Sequence, residues 1–216
     1  MSARSARLGR PKDESKRAAI FDAAQALFLK RGLQGTSMDA IAAEAGVSKL
    51  TVYSHFADKD ALFKEVIAQK CGSLSAPESF HRLVDEGPER CLTRIAEGFT
   101  ELMANPDVIA MHRVVTSEAV NNPRIAQLLY EAGPERYTAA FNALLTTFHE
   151  RGQLDIPDPG LACEQFFHMV KGQYHDRLLL NLKPKPTREA RLAYARACVQ
   201  TFLRAFAPRP SEGMRR

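Results

Sequence analysis

The residues best suited to chemistry lie in one short stretch, Lys49-Leu50-Thr51-Val52-Tyr53-Ser54-His55-Phe56. Read as a helix at about 100° per residue, Val52 and Phe56 share an inward face, and Leu50 and Ser54 point away from it. Thr51 and Tyr53 flank that outward arc, and Lys49 and His55 border it. A solvated face is normally rich in Glu and Lys, and this one is not. Hydroxyls that meet base edges or phosphates, and a leucine that meets a thymine methyl, suit the major groove of a duplex. The competing reading is an ordinary helical hairpin with its polar side in water.

Other chemistry fits less well. Glu164, His168 and His175 fall on one helical face, a conceivable metal set. Their spacing leaves only neighbouring pairs within reach of one ion, and Lys171 stands among them. A polar strip is therefore expected, with no metal and no other cofactor. There is no GxSxG elbow, Walker loop, GxGxxG or HExxH, so no catalytic residue is nominated and a non-enzymatic role is expected.

The elements that must position Lys49 to His55 are legible upstream. Ile20, Ala24, Leu27 and Phe28 recur at helical spacing, and Arg31-Gly32 ends that helix. Thr36 or Ser37 can cap a second, short helix from Met38 to Ala45, with Asp39 in its first turn as a capping box would place an acid. Gly46-Val47 breaks it, and Ser48 caps a third helix from Lys49 to about Phe56. Small Ala42 and Ala45 let the short helices cross closely, which is helix-turn-helix geometry.

Charge points the same way. The chain has 216 residues, 45% hydrophobic, with a net charge of +5 and a pI near 9.1, compatible with a polyanionic partner. Residues 1–17 carry Arg4, Arg7, Arg10, Lys12, Lys16 and Arg17 against Asp13 and Glu14, a basic arm expected to be mobile until something acidic orders it. No apolar stretch follows it as in a secretory signal, and no run of eighteen apolar residues occurs, so no membrane role is expected. Cys71, Cys91, Cys163 and Cys198 are far apart with no CxxC pair, which suits a reducing cytoplasm better than a disulfide framework.

The stretch from Gly32-Leu33 through Thr36-Ser37-Met38-Asp39-Ala40-Ile41-Ala42 to Ala45-Gly46-Val47-Ser48 closely resembles the TetR/AcrR family of regulators. So does Thr51-Val52-Tyr53-Ser54-His55-Phe56-Ala57-Asp58-Lys59-Asp60-Ala61-Leu62-Phe63. Met111-His112-Arg113-Val114-Val115, with Ser117-Glu118-Ala119 and Tyr130-Glu131-Ala132-Gly133-Pro134, looks like an AcrR-type C-terminal domain. The resemblance implies an all-α fold, with three helices forming a DNA-binding head. A fourth helix, about Asp58 to Cys71, leads to a larger ligand-binding and dimerising body. It places Lys49, Leu50, Thr51 and Ser54 near bases or the adjacent backbone, and Thr36, Tyr53, His55 and Lys59 on phosphates. Phosphate contacts set register and base contacts set sequence preference.

The rest of the chain reads as helices. Leu92, Ile95, Phe99 and Met103 pattern one, Met111, Val114, Val115 and Glu118 the next, and a long helix to Gly152 carries an interruption at Gly133-Pro134. A sensor body needs an apolar, partly aromatic cavity. The expected lining is Phe99, Met103, Met111, Val115, Glu118, Tyr137, Phe141, Phe166 and Met169. The last two helices, Leu161 to Leu182 and Thr187 to Phe206, carry apolar seams. Phe167, Val170, Tyr174, Leu178, Leu192, Val199 and Phe202 are expected to form a dimer interface.

The organisation expected is a flexible arm at 1–14, a helix-turn-helix domain at 15–60, an effector-binding and dimerisation domain at 61–207, and a tail at 208–216. The function expected is a cytoplasmic, homodimeric, sequence-specific DNA-binding regulator. It would bind an inverted-repeat operator on double-stranded DNA and be released, as a repressor, by a small-molecule effector. The alternatives are a constitutive architectural DNA binder without effector and, more weakly, an enzyme with its site in the C-terminal domain.

Overall fold

The computed structural model describes residues 10–74 and 77–208. The arm up to residue 9 and the tail from 209 lie outside the described residues. Residues 10–14, expected in the arm, begin the first helix instead.

The described residues form helices joined by turns and short loops, with no strand among them, and fall into two compact units. The first takes residues up to Gln69 together with Ala110–Ala132. Its opening helix, α1 (Arg10–Arg31), buries Ile20, Ala24, Leu27 and Phe28. Helix α2 (Met38–Glu44) is capped by Ser37, whose Oγ accepts from the Ala40 N–H at 3.1 Å. The turn passes through Gly46 at φ +65°. Helix α3 (Lys49–His55) is capped in the same way, Ser48 Oγ accepting from the Thr51 N–H at 3.1 Å. Helix α4 (Lys59–Leu74) opens with Asp58 Oδ1 accepting from Ala61 N–H at 2.7 Å. Ile41, Ala42, Val52, Phe56, Leu62 and Phe63 close the core under α3, with Phe28 edge-on to Phe63 at 5.2 Å.

The first unit also holds most of α7 (Pro106–Ala119) and all of α8 (Pro123–Ala132). Two ion pairs tie α8 to α4: Lys64 Nζ to Glu131 Oε2 at 2.8 Å, and Arg124 Nε to Asp60 Oδ2 at 3.0 Å.

The second unit takes Lys70–Ile109 and the residues from Gly133 onward. A four-residue helix, α5 (Phe80–Leu83), flanked by single 3₁₀ turns, precedes α6 (Pro88–Ala104). Helices α9 (Pro134–Glu150), α10 (Pro159–Leu179) and α11 (Arg188–Ala205) complete the unit. Proline in the first turn starts α6, α9 and α10, where a missing N–H leaves no intrahelical bond unmade.

Helices α6 and α11 run antiparallel. Glu89 accepts from Gln200 at 2.8 Å, Glu97 pairs with Arg196 at 2.6 Å and Glu101 with Arg188 at 2.8 Å, so the partner number falls as the helix advances. Helix α10 is broken at Gly172, where φ is 53° and ψ 177°. A single glycine inside a regular pattern does not announce such a break. The Met169 carbonyl is taken up by side chains of α11, accepting from Tyr194 Oη at 3.1 Å and Cys198 Sγ at 3.5 Å.

Candidate nucleic-acid interface

Five of the eight residues expected on DNA sit together on the outer face of α3. Leu50 is 84% exposed and Tyr53 47% exposed, high values for apolar and aromatic side chains, on a helix anchored by the buried Val52. Lys49 and Ser54 are exposed and Thr51 is half-buried. Thr51 Oγ1 shares a 2.8 Å hydrogen bond with Ser48 Oγ, and Ser54 Oγ donates to the Thr51 carbonyl at 2.7 Å. Both hydroxyls are thereby oriented and keep lone pairs for an incoming donor. Lys49 reaches back to α2, its Nζ 2.8 Å from Asp39 Oδ1 and 3.1 Å from Oδ2. That carboxylate holds the ammonium above its ordinary range, chiefly through the hydrogen bond.

The other three are placed differently. Thr36 is buried, and its hydroxyl donates to the Gly32 carbonyl at 2.7 Å, fastening the α1–α2 connection. Lys59 is half-buried and donates to the Thr36 carbonyl at 2.8 Å. His55 turns toward α1, its side chain 10% exposed and Nε2 3.2 Å from Asp13 Oδ1. The Arg17 guanidinium lies 5.2 Å from the centre of the neighbouring Phe56 ring. Thr36 and His55, both expected to touch phosphates, have their side chains engaged within the head. A hydroxyl beside an open carbonyl, and an imidazole beside a carboxylate, are used inside the head.

The residues expected to line an effector cavity divide between the units. Phe99, Tyr137, Phe141 and Phe166 join one continuous aromatic cluster in the second unit, with Phe80, Phe167 and Phe202. Ring centres lie 6.0 Å apart for Phe99–Tyr137, 4.7 Å for Phe99–Phe167 and 4.6 Å for Phe141–Phe166. Met103 and Met169 pack against the same core. Met111, Val115 and Glu118 belong to the first unit and are not part of this cluster.

Sequence reasoning missed Thr100, and it named Tyr174 and His175 for other roles without placing them in the core of the second unit. Thr100 and His175 are fully buried and Tyr174 nearly so. The Thr100 and Tyr174 hydroxyls lie close together, and neither forms a hydrogen bond of good geometry. Burial pushes the Tyr174 phenol up to about 12, so it remains a donor at neutral pH. His175 Nδ1 lies 2.9 Å from the Met103 carbonyl, and burial lowers its pKa from 6.5. His168, by contrast, is exposed on its own helix turn with Nδ1 2.8 Å from the Glu164 carbonyl. The Glu164/His168/His175 trio is therefore not one site, and among the described residues no group of His, Cys, Asp and Glu is placed to hold a metal ion.

The dimer seam needs correcting. Val170, Tyr174, Leu192, Val199 and Phe202 are buried inside the chain's own core, and Phe167 packs 4.8 Å from Phe141. Leu178 is half-buried. The apolar spacing on α10 and α11 records their packing on each other, on α6 and on α9. What those helices show outward is different: Leu161 at 52% and Tyr194 at 44% exposure.

Comparison with known proteins agrees with this architecture. Residues 20–66 match the model of bacterial regulatory proteins of the tetR family, and residues 90–208 match that of the AefR-like transcriptional repressor C-terminal domain. The HTH-type transcriptional regulator UidR of Escherichia coli K12 is 30% identical over 169 residues, covering 70% of this chain and 86% of its own. A TetR-family regulator from Mesorhizobium loti superposes with a TM-score of 0.75 at 29% identity, over 91% of this chain and 98% of that one. The flavonoid-responsive regulator FrrA gives 0.70 at 32% identity, over 90% and 98%. With its capped α2–turn–α3 head and all-helical remainder, the chain belongs to the TetR family and is a DNA-binding transcriptional regulator.

Proposed function

We propose that the chain is a homodimeric repressor whose α3 reads the major groove and whose second unit binds a small molecule that releases it from DNA. The observation that carries the reading is the outer face of α3. Leu50, Tyr53, Ser54, Thr51 and Lys49 stand together on a helix whose opposite side, Val52, is fully buried. The N-terminal residues of a recognition helix contact base edges, and the preceding helix crosses the backbone. Lys49 and Leu50 hold the base-reading positions, Tyr53 and Lys59 the phosphate positions. Thr36 acts by holding the Lys59 ammonium through its carbonyl.

The aromatic cluster around Phe99, Tyr137, Phe141 and Phe166 supplies the apolar wall for an effector, and the buried Thr100 and Tyr174 hydroxyls supply groups to orient it. The flavonoid-responsive relative supports an effector with an aromatic body. Binding there acts through α4 and α7, each of which belongs in part to both units. A ligand alters DNA affinity only by as much as it prefers one arrangement of the heads. The dimer forms through the outward faces of α10 and α11, where Leu161 and Tyr194 are exposed. Its two-fold symmetry makes the operator an inverted repeat. Among the described residues no helix is long and apolar enough to cross a membrane, and the reading places the protein with its DNA in the cytoplasm, as a binding protein without a reaction of its own.

The test is selection from random duplexes, followed by a thermal-shift screen of aromatic small molecules. An inverted repeat whose binding is lost with a stabilising ligand supports the reading. Enrichment of no sequence contradicts it, and an inverted repeat insensitive to every stabilising ligand favours a constitutive DNA binder.

A further inference from the structure

We propose that Asp39 is a positioning residue that keeps Lys49 off non-cognate DNA, releasing it only where a base edge offers a better acceptor than its own carboxylate. The proposal rests on the reading of α3 as the recognition helix. Asp39 stands in the first turn of α2 and Lys49 in the first turn of α3, and both side chains are largely exposed, at 64% and 58%. The ammonium is close to both carboxylate oxygens, so the charge that would otherwise seek the nearest phosphate is already matched.

An exposed pair of this kind is weak, which makes it exchangeable rather than fixed. A lone phosphate offers Lys49 roughly what Asp39 already offers. Guanine presents O6 and N7 together in the major groove, an acceptor pair that a lysine can engage at once. Lys49 therefore changes partner on the operator and remains with Asp39 elsewhere. A lysine that stays paired releases no counterion from DNA, so the difference is visible in the salt dependence.

The experiment measures equilibrium binding of the full chain to its selected duplex and to a scrambled duplex across a range of salt. It compares wild type, Asp39→Asn, Asp39→Glu, Lys49→Met and the Asp39→Asn/Lys49→Met double variant, each checked for fold by thermal melting. On the scrambled duplex Asp39→Asn should bind about two- to five-fold tighter. Its salt slope there should steepen by up to about 0.9, the effect of neutralising one more phosphate. On the selected duplex the slope should stay as in wild type, Asp39→Glu should behave as wild type, and Asp39→Asn should add nothing once Lys49 is methionine. An unchanged slope on the scrambled duplex overturns the proposal, as does the same tightening in the Lys49→Met background, where Asp39 would be acting by its charge alone. If Lys49→Met itself binds the selected duplex like wild type, the reading of α3 fails at that residue. If Lys49→Met is weak and Asp39→Asn is silent, only the role of Asp39 fails.

Discussion

The carboxylate of Glu118, on α7, lies against the backbone of Gly32 at the end of α1, so closely that a Cβ on residue 32 would overlap Glu118 Oε1. Gly32 has φ +71°, and its carbonyl accepts the Thr36 hydroxyl. The residue is constrained twice, by a left-handed backbone and by a neighbour at the tip of a movable side chain. Gly32→Ala should destabilise the fold by about 1–2 kcal/mol in urea unfolding, from the backbone conformation. Removing the neighbour with Glu118→Ala should recover only a part. Full recovery in the double variant would show that the overlap, and not φ, sets the effect.

The correction to the dimer seam separates two sets of substitutions. Phe202→Ala should lower stability by about 3–5 kcal/mol, because it opens a cavity in the chain's own core. Leu161→Glu with Tyr194→Glu should cost far less stability than Phe202→Ala, about 1 kcal/mol for the lost Tyr194–Met169 hydrogen bond, and yield monomers by analytical ultracentrifugation. Stable monomers from Phe202→Ala, or intact dimers from the outward pair, would reverse this assignment.

His175 predicts a pH dependence. Burial lowers its folded pKa, with Lys171 adding to the effect and the hydrogen bond to the Met103 carbonyl and nearby Asp176 opposing it. The unfolded chain therefore binds the proton more readily. Stability from the neutral imidazole is present above about 6.5 and is lost as pH falls toward the lower folded value. His175→Gln should flatten urea-unfolding free energy over that window. An equally steep decline in the variant would place the titration elsewhere.

The thiols should be inert. Burial pushes Cys71 up to about 11 and Cys91 and Cys163 to about 12, and it raises Cys198 as well. A buried thiol held protonated is a poor nucleophile. Alkylation with iodoacetamide at neutral pH should be slow for all four until denaturant is added. Rapid labelling of Cys91, Cys163 or Cys198 in the native protein would contradict their burial, and rapid labelling of the half-buried Cys71 would contradict its raised pKa.

Much of the head was legible because its punctuation is local. Ser37 and Ser48 cap their helices through their own side chains, and Gly46 makes the turn, so the boundaries of α2 and α3 follow from residue type. The inward Val52 and outward Leu50 follow from helical periodicity alone. The roles of Thr36 and His55 were not legible, because the carbonyl and the carboxylate that engage them are brought close only by folding. Helix α5 is one turn long and leaves no periodic signature. The seam of α11 was visible as a stripe, but a stripe records burial and not whose surface buries it. Met111 and Glu118 share spacing with cavity candidates, and only the topology assigns them to the first unit.

If α3 reads DNA sequence, the ratio of affinities for the selected and a scrambled duplex at physiological salt must depend on its outward side chains. Wild type is compared with Leu50→Ala and with Lys49→Ala, both outward-facing and both compatible with the fold. Each variant should lose between about five- and a hundred-fold on the selected duplex, while binding of the scrambled duplex changes far less. Variants that melt like wild type and keep the wild-type ratio would contradict that role for α3.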